Sequence, residues 1–282
     1  MKQILIIIVV LTSCYKGYSQ NLLSGTVYDK DSRATIGYAT IGVNERYVGV
    51  MSDANGVFTF KGNGRILDSD SITINCLGYK DKKYAVRDIK GKSIDIYMDV
   101  DILNIDEVVV SAKAIRKKDV KIGYSSTGTR QIRTSMFSIP PNGGPRTIEI
   151  GSTLTIKDDS DINNLNFYVT RNENDNMKLR VKFYSVENKL PKEIIVNKDI
   201  LFDVNDKKKG WISLDLTPYN IRFNAGQEVA VTIMLLNPAE CDGIWVTGTF
   251  FIGNCVLRDG VFDQWYKSWA VSLYLGATSY RP

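Results

Sequence analysis

Three runs decide how this chain is read: Ser24-Gly25-Thr26-Val27-Tyr28-Asp29, Ile36-Gly37-Tyr38-Ala39-Thr40-Ile41-Gly42-Val43, and Gly49-Val50-Met51-Ser52-Asp53-Ala54-Asn55-Gly56-Val57-Phe58-Thr59-Phe60. Valine, isoleucine and aromatic residues alternate with polar ones, the period of a half-buried strand. Asp53-Ala54-Asn55-Gly56 punctuates the third run as a tight turn, because Asn and Gly tolerate positive φ. An EF-type calcium loop needs an oxygen ligand two residues before Asp53, where Met51 stands, so this is read as a turn.

The same signals continue outward. Asp70 to Leu77, Lys83 to Val86 and Ser93 to Met98 read as strands broken at Gly78-Tyr79 and Gly91. No helical period stands out. Short strands at even spacing predict an antiparallel sandwich over residues 22–99. Eight more strand signals run from Ser152 to Leu275. Lys178-Leu179-Arg180-Val181-Lys182-Phe183 alternates charged and apolar side chains, which predicts one buried and one solvated face. Asn172 to Asn176, Asn205 to Gly210 and Asn224 to Gly226 are polar turns. Residues 148–282 are therefore expected to form a second, jelly-roll-like β-sandwich, and the fold class is all-β. An eight-stranded membrane barrel fits less well, since its turns would alternate short and long.

The 282 residues contain no histidine. That removes Ser-His-Asp and Cys-His catalysis and every imidazole-ligated zinc site. The net charge of +5 gathers in one segment rather than over a face, so nucleic acid is not an expected partner. No cofactor is expected.

Lys2 followed by Ile4 to Leu11 reads as an export signal, too short to span a membrane. Two processing sites fit. Leu11-Thr12-Ser13-Cys14 resembles a lipobox, which would lipidate Cys14 after removal of residues 1–13. Gly17-Tyr18-Ser19 suits ordinary signal peptidase after residue 19. Either places the mature protein in the periplasm or at the outer membrane. In an oxidising compartment Cys241 and Cys255, which flank a strand-like run, are a candidate disulfide, with buried free thiols the alternative.

The motifs G-T-V-Y-D, I-G-Y-A-T-I-G-V, S-D-A-N-G-V-F-T-F and I-N-C-L-G-Y-K resemble the carboxypeptidase regulatory-like domain. The resemblance implies a seven-stranded transthyretin-like sandwich with no active site of its own. Thr35-Ile36-Gly37 stands where that family favours proline and a small residue. Asp106-Glu107-Val108-Val109-Val110 resembles the TonB box that follows this domain in starch-utilisation-type transporters. That implies TonB or an outer-membrane transporter as partner, through strand addition. A plain connecting strand is the alternative. Lys113, Arg116, Lys117, Lys118, Lys121, Arg130, Arg133 and Arg146 then make residues 113–147 a basic linker, broken by Pro140 to Pro145, so that residues 100–147 hold the TonB-box-like segment and this linker. The second half is similar to a C-terminal region of exported Gram-negative proteins of unassigned function, through Tyr184, Pro191 and Gly210 to Leu216. That similarity implies architecture and no activity.

Two site candidates remain. Asp158, Asp159 and Asp161, with Asn163, carry oxygens suited to calcium, though no glycine or bidentate glutamate follows. Trp245, Trp265, Tyr266 and Trp269 are the residue types of a sugar-stacking platform, or of a packed core. The expected function is a non-enzymatic exported envelope protein that binds a glycan or protein partner. A TonB-linked uptake accessory is the alternative, and a carboxylate-based glycan hydrolase the residual one.

Overall fold

The computed structural model describes residues 21–62, 65–101, 116–128, 130–133, 148–237, 244–249, 254–268 and 270–281. The first sandwich is built from β1 (Asn21–Asp29), β2 (Thr40–Val43), β3 (Val48–Met51), β4 (Val57–Lys61), β5 (Ser71–Asn75), β6 (Lys82–Ala85) and β7 (Lys92–Met98). A three-stranded sheet in the order β4-β1-β7 faces a four-stranded sheet in the order β3-β2-β5-β6. Alternation sets the faces. In β4, Phe58 and Phe60 are buried while Val57, Thr59 and Lys61 are exposed. They meet Val27, Ile41, Ile72, Ile74 and Ile96 in one core.

The turn at Asp53 works through its carboxylate. Asp53 Oδ1 accepts the backbone N–H groups of Asn55 and Val57, both at 2.9 Å. Gly56 alone of the tetrapeptide takes positive φ, at 77°. A side chain there would also press on the carbonyls of Val27 and Ile36. Besides a 3-10 turn at Asn44–Arg46, one helical element departs from the all-strand expectation. Val86–Ile89 forms a single helical turn, α1, whose Val86 and Ile89 tuck into the core.

The second sandwich adds β8 (Arg116–Gly123), β9 (Arg130–Arg133), β10 (Ile148–Thr155), β11 (Asp159–Asn172), β12 (Asn176–Glu187), β13 (Leu190–Ile194), β14 (Ile200–Asn205), β15 (Gly210–Asp215), β16 (Ile221–Phe223), β17 (Glu228–Leu235), β18 (Ile244–Thr249), β19 (Cys255–Asp259), β20 (Tyr266–Ser268), β21 (Ala270–Val271) and β22 (Leu273–Arg281). One sheet runs β13-β12-β17-β10-β19-β20, with β14 beside β12. The other runs β21-β18-β11-β22-β8, with β15 and β16 beside β11 and β9 beside β18. Their inner faces close over Ile150, Phe167, Val181, Phe183, Val231, Ile233, Leu273 and Leu275.

Two sequence expectations are corrected here. Arg116–Gly123 and Arg130–Arg133, read as linker, are strands. β8 pairs with β22 from Arg116↔Arg281 to Gly123↔Tyr274. Val120 and Ile122 supply its inward face. They are too few, among so many cations, to raise a strand signal. The second correction concerns β12. Its charged face is not solvated, because Arg180 and Lys182 are buried.

The first sandwich covers that face. Arg180 Nη1 donates to the Tyr38 carbonyl at 2.8 Å. The Gly78 amide donates to Asn197 Oδ1 at 2.8 Å, and Asn197 Nδ2 donates to Asp101 Oδ2 at 3.0 Å. The Phe262 ring lies against Gly42 and Gly49, where any Cβ would strike it.

Candidate functional site

The second sandwich has two outer faces, and they differ in chemistry. The face under the first sandwich holds a sealed ionic cluster. Core residues Ile148 and Ile150 point inward on β10, so Glu149 between them points outward. Its register neighbours are Met234 on β17 and Arg258 on β19. Glu149 Oε1 accepts from Thr232 Oγ1 at 2.6 Å and from the Tyr184 hydroxyl at 2.7 Å. Oε2 accepts from Arg258 Nη2 at 2.6 Å and Nε at 3.0 Å, with Lys182 Nζ at 3.7 Å. Gly151 carries no side chain between Glu149 and the row of Tyr184, which leaves the phenol a clear path. Trp265 closes the cluster, edge-on to Tyr184 with ring centroids at 5.5 Å and 4.5 Å from the Arg258 guanidinium.

The electrostatics follow from burial and partners. Burial alone would raise the Glu149 pKa, but Arg258 and then Lys182 outweigh it and hold the carboxyl at about 2. Burial pushes the Lys182 ammonium down to about 8, and Glu149 only partly offsets this. Burial, then the Glu149 charge, drives the Tyr184 phenol well above its ordinary value. A general acid needs a carboxyl raised toward neutrality. Glu149 is shifted the opposite way, as are the other carboxylates with displaced values among the described residues, Asp29, Asp70, Asp99, Glu187 and Asp215. With no exposed surface, Glu149 also reaches no substrate. The cluster is structural.

The opposite face is half-open and carries a different pattern. Inward Leu165 and Phe167 on β11 turn Asn164, Asn166 and Tyr168 outward. Across the strands, Trp211 of β15 pairs with Tyr168, and Tyr274 of β22 pairs with Asn166. The Trp211 ring meets Tyr168 at 5.4 Å and Tyr274 at 5.1 Å, edge-on to both. The amides of Asn164 and Asn166 hydrogen-bond to each other beside these rings. Gly276 lies opposite Asn164 and leaves the amide room to cross, since a Cβ there would strike it. Next along β22, Tyr280 donates to Asp161 and lies under Arg222, whose guanidinium is 4.8 Å from the ring. Lys121 and Lys117 of β8 lie over Tyr274 and Tyr280, at 5.0 and 5.7 Å. Rings held by neighbours, flanked by amides and cations, suit the apolar ring faces and hydroxyl rims of sugars.

The sequence candidates are placed as follows. Trp265 and Tyr266 lie at β20, on the sheet next to the first sandwich, whereas Trp245 lies on β18 in the other sheet. The expected platform is therefore not assembled from them, and Trp269 lies outside the described residues. Tyr168, Trp211 and Tyr274 were missed as a group, because their proximity arises from strand order and not from sequence spacing. The acidic residues do not converge either. Asp158 accepts from Arg281, Asp159 from the Ala225 amide, and Asp161 from Arg222 and Tyr280. Asn163 donates to Thr278. Cys255 is buried in the core, its thiol pushed up to about 12 by burial. Its expected partner Cys241, Cys14, the expected export signal, and Asp106, Glu107, Val108, Val109 and Val110 lie outside the described residues.

Residues 23–110 match the family model of the CarboxypepD_reg-like domain. No curated protein matches the chain. Similar solved structures include the cysteine protease and lectin-like domains of Cwp84, a surface layer associated protein of Clostridium difficile. That match has 10% identity and a TM-score of 0.37, over 48% of this chain and 32% of that one. The clostridial cysteine protease Cwp84 after propeptide cleavage matches at 11% identity and a TM-score of 0.38, over 58% of this chain and 40% of that one. The chain thus spans less than half the length of either.

Proposed function

We propose that this chain, with a regulatory-like sandwich at its N-terminal end, is an exported, non-catalytic binding protein whose ligand is a glycan. The first sandwich is the structural partner that seals one face of the second. The ligand lies on the other face, across Trp211, Tyr168 and Tyr274, with the half-buried Asn164 amide, held by the buried Asn166, meeting sugar hydroxyls. The carrying observation is the Tyr168–Trp211–Tyr274 ring cluster on the face turned away from the first sandwich. Adjacent strands lie about 4.8 Å apart, so β15, β11, β22 and β8 together span about 15 Å, room for a short run of sugar rings. Export rests on Lys2 and the apolar run Ile4 to Leu11.

Affinity electrophoresis of the mature protein in gels containing neutral and acidic polysaccharides tests this. At least one polysaccharide retards the wild type. Trp211→Ala and Tyr274→Ala abolish the retardation with unchanged circular dichroism, while Tyr266→Ala on the other sheet leaves it intact. Unretarded migration in every gel, or retardation that survives Trp211→Ala, overturns the proposal.

A further inference from the structure

The cations of β8 narrow the ligand class, and this step rests on the glycan reading above. Among the described residues, β8 is the last strand of its sheet and pairs on one side with β22. Arg116, Lys117, Lys118, Asp119 and Lys121 are exposed along it. Lysines on a sheet edge discourage pairing with another chain, and any cation there would serve that end. Edge protection does not require them to lie over particular rings. Yet the two lysines that turn to the open face lie over Tyr280 and Tyr274, the second being the ring against which Trp211 packs.

The carboxylates of the same face are already engaged. Arg222 and Tyr280 hold Asp161, Thr278 donates to Asp119, and the Thr217 amide and hydroxyl hold Asp215. Among the described residues, Lys117 and Lys121 thus meet aromatic rings instead of acids. A pyranose bound beside Tyr274 would place a ring substituent within reach of the Lys121 ammonium, which lies 5.0 Å from the ring centroid. A neutral hydroxymethyl there gains little from an ammonium, whereas a carboxylate gains a charge-assisted hydrogen bond.

We infer that the face takes a uronic-acid polysaccharide, the rings of Trp211, Tyr168 and Tyr274 stacking the sugars and Lys121 and Lys117 pairing with successive carboxylates. No covalent step is involved.

The test is titration of the mature protein with polygalacturonate, its methyl-esterified form, dextran and dextran sulfate, at 50 and 300 mM salt. Polygalacturonate binds at least tenfold more tightly than the ester or dextran. The affinity falls severalfold in high salt, because exposed charges are screened. Lys121→Gln and Lys117→Gln each cost three- to tenfold for polygalacturonate and nothing for the ester, and Trp211→Ala abolishes binding. Equal affinity for the methyl ester overturns the anionic assignment and leaves the glycan reading standing. Equal affinity for dextran sulfate also overturns it, since any polyanion then suffices. Binding to none of the four overturns this inference, and failure across a broader glycan panel overturns the reading beneath it.

Discussion

Arg180 of the second sandwich and Tyr38 of the first are joined by a hydrogen bond, guanidinium Nη1 to main-chain carbonyl, at 2.8 Å. The same guanidinium grips Asp199 through Nε at 2.6 Å and Nη2 at 2.9 Å. Only 2% of Arg180 is exposed, so these bonds form out of water, where losing a partner costs most. Buried polar pairs fix orientation more than they add stability. The contact joins the two sandwiches together with the Asn197 bonds and the Phe262 packing, and the opposite face of the second stays open.

Removing the Arg180 side chain should uncouple the two sandwiches. Arg180→Ala leaves Asp199 and the Tyr38 carbonyl without this donor, at a cost of about 2–4 kcal/mol. Asp199 is partly exposed, which keeps the figure below that of a fully sealed pair. Calorimetry of the wild type should show one cooperative transition and the variant two, the first sandwich melting earlier. Asn197→Ala removes the Gly78 and Asp101 bonds and should shift the same way by less. An unchanged single transition in both variants would show that the interface contributes little.

Lys182 should make stability rise with pH in the alkaline range. The ordinary lysine pKa is 10.5, and burial brings it to about 8 in the native protein. Between those values the unfolded chain holds the proton and the native one has released it, so raising the pH favours the native state. The gain is on the order of 3 kcal/mol at most across pH 8 to 10.5. Urea unfolding of wild type and Lys182→Met at several pH values isolates it. The variant should be the more stable at pH 7, with the difference shrinking as pH rises. A pH-independent difference would mean that Lys182 stays charged in its site.

The first sandwich was legible because its signals are local. Asp53, Gly56, Phe58 and Phe60 lie within eight positions, and turn chemistry and alternation act over that range. The second fold was legible as strands and not as a site. Alternation in Lys178 to Phe183 shows that β12 has two faces, but not that the polar one is covered. Whether a charged face meets water depends on a domain more than 70 positions earlier. Likewise Tyr168, Trp211 and Tyr274 meet only because β15 and β22 both pair with β11. Tryptophans close in sequence, Trp245 and Trp265, fall on different sheets. β8 was hidden because its cations mask the alternation of Val120 and Ile122.

That last reading has a direct check. If β8 belongs to the sandwich, Val120→Asp with Ile122→Asp forces two carboxylates against the core and should cost more than about 3 kcal/mol. Lys117→Gln with Lys118→Gln touches only the exposed side and should stay within about 0.5 kcal/mol. Chemical denaturation distinguishes them. Equal, small effects from both pairs would return the segment to a linker.

Glu149 provides the sharpest separation between a structural and a catalytic carboxylate. Its native pKa of about 2 lies below the ordinary 4.5, so its pairing contributes fully above pH 4.5 and is lost as pH falls toward 2. The contribution at pH 7 is on the order of 3 kcal/mol. Glu149→Gln keeps the shape but leaves Arg258 and Lys182 buried without their counter-charge, a loss of about 3–5 kcal/mol at pH 7. The gap between wild type and variant should narrow steadily below pH 4.5. Glu149→Gln with Lys182→Met removes one stranded cation and should recover part of the loss, since the two sites share a network. A catalytic carboxylate behaves otherwise, because its amide variant folds normally and loses only turnover. Full stability in Glu149→Gln would therefore contradict the structural role and reopen the hydrolase reading. Lost stability, partly restored by Lys182→Met, leaves the carboxylate to hold the covered face while Trp211 and its neighbours act on the other.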